Sequence, residues 1–229
     1  MCLHILNYIS LKLRHIIIFC IFLITSQIAY ADLNENGDFH FSNSDSLIFP
    51  LSKLVTLIAK AQFRWGDNAS FLFDKYYYLE YRFKPLKWLH LGAAYRQIYS
   101  RIPGGSWKTT YDPYFQVFFK GNLSKFEIEN RNRFQYYYAH WRTPTWVYRN
   151  RTTIGAPIKL THNEITPYIS DELFFEKNRG FVENRINSGC LFSIINPIQS
   201  DIYFSLRNIK RSTGWIHITQ LGVDFSYSF

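Results

Sequence analysis

Period-two alternation runs through almost the whole chain beyond residue 31, and it restricts the fold more than any other feature of the sequence. In FDKYYYLEYRF (73–83) one face carries Phe73, Tyr77, Leu79, Tyr81 and Phe83, with Lys75 as its one polar member. The other face carries Asp74, Tyr76, Tyr78, Glu80 and Arg82. In LHLGAAYRQIY (89–99), Leu89, Leu91, Ala93, Tyr95 and Tyr99 lie opposite His90, Gly92, Ala94 and Arg96. In SKFEIENRNRFQYYY (124–138), Phe126, Ile128, Phe134, Tyr136 and Tyr138 lie opposite Lys125, Glu127, Glu129, Arg131, Arg133 and Gln135. Successive side chains of a strand point to opposite faces, so each segment reads as a strand between two different environments.

Similar segments fall near 38–48, 55–65, 110–120, 145–156, 165–176, 181–194, 201–211 and 215–229. Turn-like pieces separate them: WGDNAS, FKPLK, SRIPGGS, KGNLS, APIKLTHNE, KNRG, NPIQS and KRSTG. No helix-period stretch or internal linker interrupts the series. A β-sandwich buries its apolar faces and uses strands of about five or six residues. These segments are about 10–14 residues long, which is enough to cross a bilayer when tilted. Aromatic residues make up 19% of the chain, as many as the charged ones, and they concentrate on the apolar faces. The pattern therefore predicts an all-β fold: a single antiparallel transmembrane β-barrel of 10–12 strands, with 12 expected because bacterial single-chain barrels are even-numbered. Segment counting gives eleven, so either a further weak strand lies in residues 32–38, or the polar, weak-looking DFHFSNSDSLIF segment near 38–48 is not in the wall, or one of the eleven segments is misassigned.

The first 31 residues read differently. Lys12 and Arg14 precede the apolar run IIIFCIFLI (16–24), and TSQIAYA ends on Ala29-Tyr30-Ala31. This is the pattern of a secretory signal peptide, with cleavage expected after Ala31 and a barrel domain over 32–229. The apolar run is too short to span a bilayer as a helix. Loss of this segment removes Cys2 and Cys20, so Cys190 is left without an intramolecular partner. It also removes Lys12 and Arg14, which takes the formal charge from +9 to +7. Export to the outer membrane of a Gram-negative-type bacterium follows, with outer-membrane lipids as partners and nucleic acid excluded as a partner.

If the apolar faces meet lipid, the polar faces line the lumen. The inward set then includes Glu80, Arg82, Arg96, Glu127, Glu129, Arg131, Arg133, Arg149, Arg151, Glu172, Arg185 and Arg207. Lys60, Arg64, Asp74, Asp112, Lys120, Glu176, Glu183 and Asp224 share that parity. Two readings stand side by side. The set is either a salt-bridged network that fills a narrow barrel, or the lining of a water-filled pore whose arginines favour small anionic solutes. A narrow anion channel is the leading expectation, and a closed structural or adhesive barrel is the alternative. Asp171 falls on the lipid side, so it is expected near an interface or at a bulge. At the end of the chain, Phe225 and Tyr227 alternate with Ser226 and Ser228 up to Phe229. These aromatics are expected to face lipid and to serve as a C-terminal signal for the barrel-assembly machinery.

Signals for enzymatic chemistry are weak. His40, His90, His140, His162 and His217 show no metal-ligand spacing, and no Gly-x-Ser-x-Gly, phosphate-binding glycine loop or cysteine pair occurs. An outer-membrane lipid-modifying enzyme, assembled for instance from Ser170, Glu172 and His90 by shared parity, ranks third; no cofactor is expected. AHWRTPTW (139–146) reads as an exposed loop.

Seven stretches together carry a family resemblance: DKYYYLEYRF, KWLHLGAAYR, FEIENRNRFQY, WVYRNRTTIGAPIKL, TPYISDELFFEK, FVENRINSG and LGVDFSYSF. By these the chain resembles the domain of unknown function 2490 family, presumed bacterial outer-membrane barrels. The resemblance implies a fold and a location, and it transfers no activity and no site residue.

Overall fold

A computed structural model describes residues 36–101, 105–156 and 165–229. The expected signal segment 1–31 and its cleavage point lie outside the described residues. The described residues form one closed barrel of eleven strands with no helix. The strands are β1 Phe39–Pro50, β2 Val55–Gly66, β3 Phe71–Leu86, β4 Leu89–Arg101, β5 Trp107–Leu123 and β6 Phe126–Ala139. They continue with β7 Arg142–Gly155, β8 Thr166–Glu176, β9 Gly180–Ile195, β10 Ile198–Arg211 and β11 Gly214–Ser228.

The expected count of twelve is corrected to eleven, and the all-antiparallel wall gains one parallel seam. Strands joined in an up-and-down series reverse direction at each step. The eleventh therefore runs the same way as the first, and an odd wall closes only in parallel. β1 pairs β11 in parallel from Phe39↔Thr219 to Ile48↔Ser228. The weak strand sought in residues 32–38 is not found in its described part, since Asn36 and Gly37 form a turn and Asp38 precedes β1. The polar DFHFSNSDSLIF stretch is instead a full wall strand.

Parallel ladders are slightly weaker per residue than antiparallel ones, and the seam is fastened at both ends. At one end the Gly37 N–H donates to His217 O (2.8 Å) and the Thr219 N–H to Asp38 O (3.0 Å). The Asp38 carboxylate also accepts from the Asp67 and Asn68 N–H groups at 2.8 and 2.9 Å, which ties the β2–β3 turn to the start of β1. At the other end the Phe229 N–H donates to Ile48 O (3.0 Å), and the Phe229 ring stacks on Phe49 at 4.6 Å.

Two local expectations are also corrected. AHWRTPTW is a tight hairpin, with only His140 and Trp141 in its turn and residues from Arg142 onward in β7. Cross-strand pairing overrides its loop-like composition, and Trp141 Nε1 donates to Thr109 O (2.9 Å). Asp171 sits mid-strand in regular register with Thr152 and Ile186, while the irregularity of β8 falls at Phe174/Phe175. Its carboxylate accepts from the Asn184 side chain. Nearby, Asn130, Asn132, Asn150 and Thr152 bond one another across β6 and β7 on the same outward face. A polar outward patch thus satisfies itself without a bulge.

The barrel is inverted relative to a soluble protein. The side chains most fully enclosed are Gln116, Gln135, Asp112, Ser42, Ser44 and Ser205. Outside, Leu79, Tyr81, Phe115, Phe119, Phe134, Ile169, Ile202 and Phe204 are exposed.

Candidate functional site

The period of two carries every charged residue of the inward set onto the lumen side, and the register then decides which of them meet. Arg96 Nε donates to Asp112 Oδ2 at 2.8 Å across β4 and β5. Arg64 reaches Asp74 at 3.3 Å and the Tyr76 hydroxyl at 2.6 Å. Arg82 lies against Glu80 at 2.7 Å, and Lys120 against Glu129 at 2.7 Å. Glu183 receives Arg185 at 2.5 Å and Arg207 at 3.0 Å. Glu127 and Lys120 are the exposed members of the set, since both lie close to the β5–β6 turn.

The centre of the arrangement is Glu172 on β8, only 3% exposed. Its Oε1 accepts from Arg131 on β6 and from Arg149 on β7, the latter through Nε at 3.1 Å and a terminal nitrogen at 2.9 Å. Arg133 turns instead to neutral partners: its Nε donates to Gln116 Oε1 (2.9 Å) and its guanidinium lies 4.3 Å from the Tyr114 ring centre. Arg149 packs similarly over Phe174 at 4.3 Å. Two glutamines extend the network, since Gln135 donates to Asp112 (2.8 Å) and accepts from Arg149 (3.3 Å).

Arg131, Arg133, Arg149, Glu172 and Phe174 border a cavity of about 770 Å³ inside the wall. Twelve lysines and arginines line it against five carboxylates, Glu172, Glu176, Glu183, Asp201 and Asp224. Low-dielectric walls around one sign of charge focus the field and concentrate counter-ions. The lining runs from Arg179 and Lys210 near the β8–β9 and β10–β11 turns down to Lys60, Asp224 and Asp201. There two tyrosines narrow it: Tyr168 donates to Asp201 (3.0 Å), and the Tyr203 ring lies so close over Gly222 that a Cβ there would sit 2.1 Å from Cζ. On the β2–β5 side of the same end, Ile58, Glu80, Gln116 and Phe118 are buried outside the cavity lining.

Asp201, Tyr168, Tyr203 and Gln116 were not singled out from the sequence. Their strand parity gives their face, but only the pairing of both β8 and β10 with β9 brings the tyrosines together. Ser170 accepts from Asn187 (2.9 Å), and Glu172 is engaged by arginines. His90 stands on β4, paired with Phe118, on a different part of the wall. His217 sits outward beside Asn208, with His162 outside the described residues.

Residues 41–217 match a family model described as a protein of unknown function, DUF2490. Among solved structures, the β-domain of the Bordetella autotransporter BrkA is similar, at 12% identity with a TM-score of 0.50. The match covers 78% of this chain and 85% of that one, and it likens the two folds only. No curated protein matches the sequence.

Proposed function

The chain belongs to the DUF2490 family of proteins of unknown function, and from its own geometry we propose an outer-membrane barrel that passes small anionic solutes through a narrow cationic lumen. The observation that carries this reading is the lumen lining, with twelve basic side chains against five acidic ones around about 770 Å³. An outward surface studded with Leu, Phe, Tyr and Ile supports the membrane location, because soluble proteins rarely expose contiguous apolar patches of that extent. Outer-membrane lipids are then the partner of that surface. Planar-bilayer recording of the refolded protein tests the channel. Anion-selective current, reduced in Arg131→Gln and Arg151→Gln, is expected, and a silent membrane would overturn it.

A second reading has its own support: Gln116, Gln135 and Asp112 are fully enclosed. Such packing fits a closed structural or adhesive barrel with a salt-bridged interior, the reading to which an absence of current would point.

The C-terminal strand has a separate assignment. Phe225, Tyr227 and Phe229 form the recognition element for the barrel-assembly machinery, with Phe229 also clasping the seam through Phe49. Deleting Phe229 is expected to lower the yield of inserted barrel several-fold in cells, while protein refolded in detergent keeps its heat resistance. Unchanged insertion of the truncated chain would count against the signal. A matching loss of heat resistance would assign Phe229 to the seam alone.

A further inference from the structure

Four arginines on β6 and β7 surround one carboxylate, Glu172, the only one within ion-pair distance of any of them among the described residues; Glu129 and Asp201 lie farther off. Arg131 stands directly opposite Arg151, and Arg133 directly opposite Arg149, all on the inward face. Like charges in direct cross-strand opposition repel, and guanidinium does not relieve the strain by losing its proton. Glu172 answers Arg131 and Arg149. It leaves Arg133 on an amide oxygen and an aromatic face, neither carrying charge. Among the described residues Arg151 has no ion pair, and the Nε atoms of both Arg151 and Arg131 are buried without a hydrogen-bond partner. Arg131 is itself only 7% exposed. Buried charged donors left unmatched are among the most unfavourable arrangements in a folded protein, and the two side chains that carry them line the open volume of the lumen.

We propose that this quartet is a binding site for a multivalent oxyanion of the phosphate or sulfate class, held chiefly by Arg133 and Arg151. Arg131 and Arg149 are already oriented by Glu172 and form the back of the site. A chloride ion neutralises one charge and has no fixed geometry. A tetrahedral oxyanion presents several oxygens at once, and each guanidinium fork can meet two of them. Because the arginines lie on the inner face of the wall, a bilayer lipid headgroup does not reach them. The ligand is a free solute, inorganic oxyanion or small phosphorylated molecule. This site rests on the cationic-lumen reading above but does not require conduction.

Calorimetric titration of the detergent-refolded barrel with inorganic phosphate, and with sulfate, tests it at ionic strength fixed with chloride. About one oxyanion per barrel is expected, with at least tenfold weaker binding in Arg133→Gln and in Arg151→Gln. Lys53→Gln, which removes an equal charge from the exposed β1–β2 turn, is expected to bind as the parent does. Thermal melting of each variant in chloride alone separates misfolding from lost binding, and two single variants guard against one failing to fold. A glycerol-phosphate titration then distinguishes sources: binding equal to that of inorganic phosphate assigns a phosphorylated solute, and much weaker binding assigns the free ion. Absent heat with both oxyanions, or equal binding by all variants, overturns the site. Anion-selective chloride current without oxyanion binding would overturn the site and leave the lumen reading standing. Binding without current would do the reverse for the channel.

Discussion

Replacing Glu172 by glutamine is expected to destabilise the barrel by about 3–5 kcal/mol, the range for removing one partner from a buried ion pair. The substitution preserves shape and an acceptor oxygen, so packing changes little. It removes the one carboxylate within ion-pair reach of Arg131 and Arg149 among the described residues. Four inward guanidiniums on neighbouring strands then have no ion-paired carboxylate among the described residues, and Glu129 and Asp201 act on them only from farther off. Guanidinium-chloride unfolding of the refolded protein, followed through tryptophan fluorescence, measures the loss. Adding Arg131→Met to Glu172→Gln is expected to recover much of it, because the second change removes a stranded charge instead of a contact. A small effect of Glu172→Gln alone would mean that solvent in the lumen screens the arginines, and the site would then be far wetter than its burial implies.

How far this arrangement was readable in advance follows from what a strand's period fixes. Alternation assigns faces, so Arg131, Arg133, Arg149 and Arg151 could be set on one side from the residues alone. Alternation does not assign stagger. Whether Glu172 meets Arg131 or only Arg151, its direct neighbour on β7, depends on how far β8 slides against β7 and on the curvature of the wall. The same limit explains the strand count. Hairpins are local and show in turn residues, but closure joins segments 180 residues apart, Phe39 to Thr219, and parallel closure leaves no local signature. Composition misled in two places where pairing prevailed. AHWRTPTW has the polar and proline content of a loop, yet Ala139 and Arg142 pair across its turn. Asn130 and Asn132 interrupt the apolar face of β6, and side-chain bonding to β7 lets them remain there.

The membrane assignment makes the other large prediction. Leu79 lies at the middle of β3, 52% exposed on the outward face, between Ala59 of β2 and Tyr95 of β4. In a lipid-facing wall, Leu79→Arg is expected to cost about 2–4 kcal/mol, because a guanidinium near the bilayer midplane gives up its hydration. At the rim the penalty fades. Leu123→Arg, at the end of β5 and 67% exposed, is expected to cost about 1 kcal/mol or less. A barrel standing in water would behave otherwise, since charged substitutions at exposed positions there stay within about 0.5 kcal/mol wherever they fall. Denaturant unfolding of both variants in lipid vesicles gives the two values. A large difference between mid-strand and rim is the signature of a depth-dependent apolar surround, and equal small values would remove the bilayer from the account of this fold. The result is independent of the lumen, because both side chains point away from it, so location can be decided even if every prediction about anions fails.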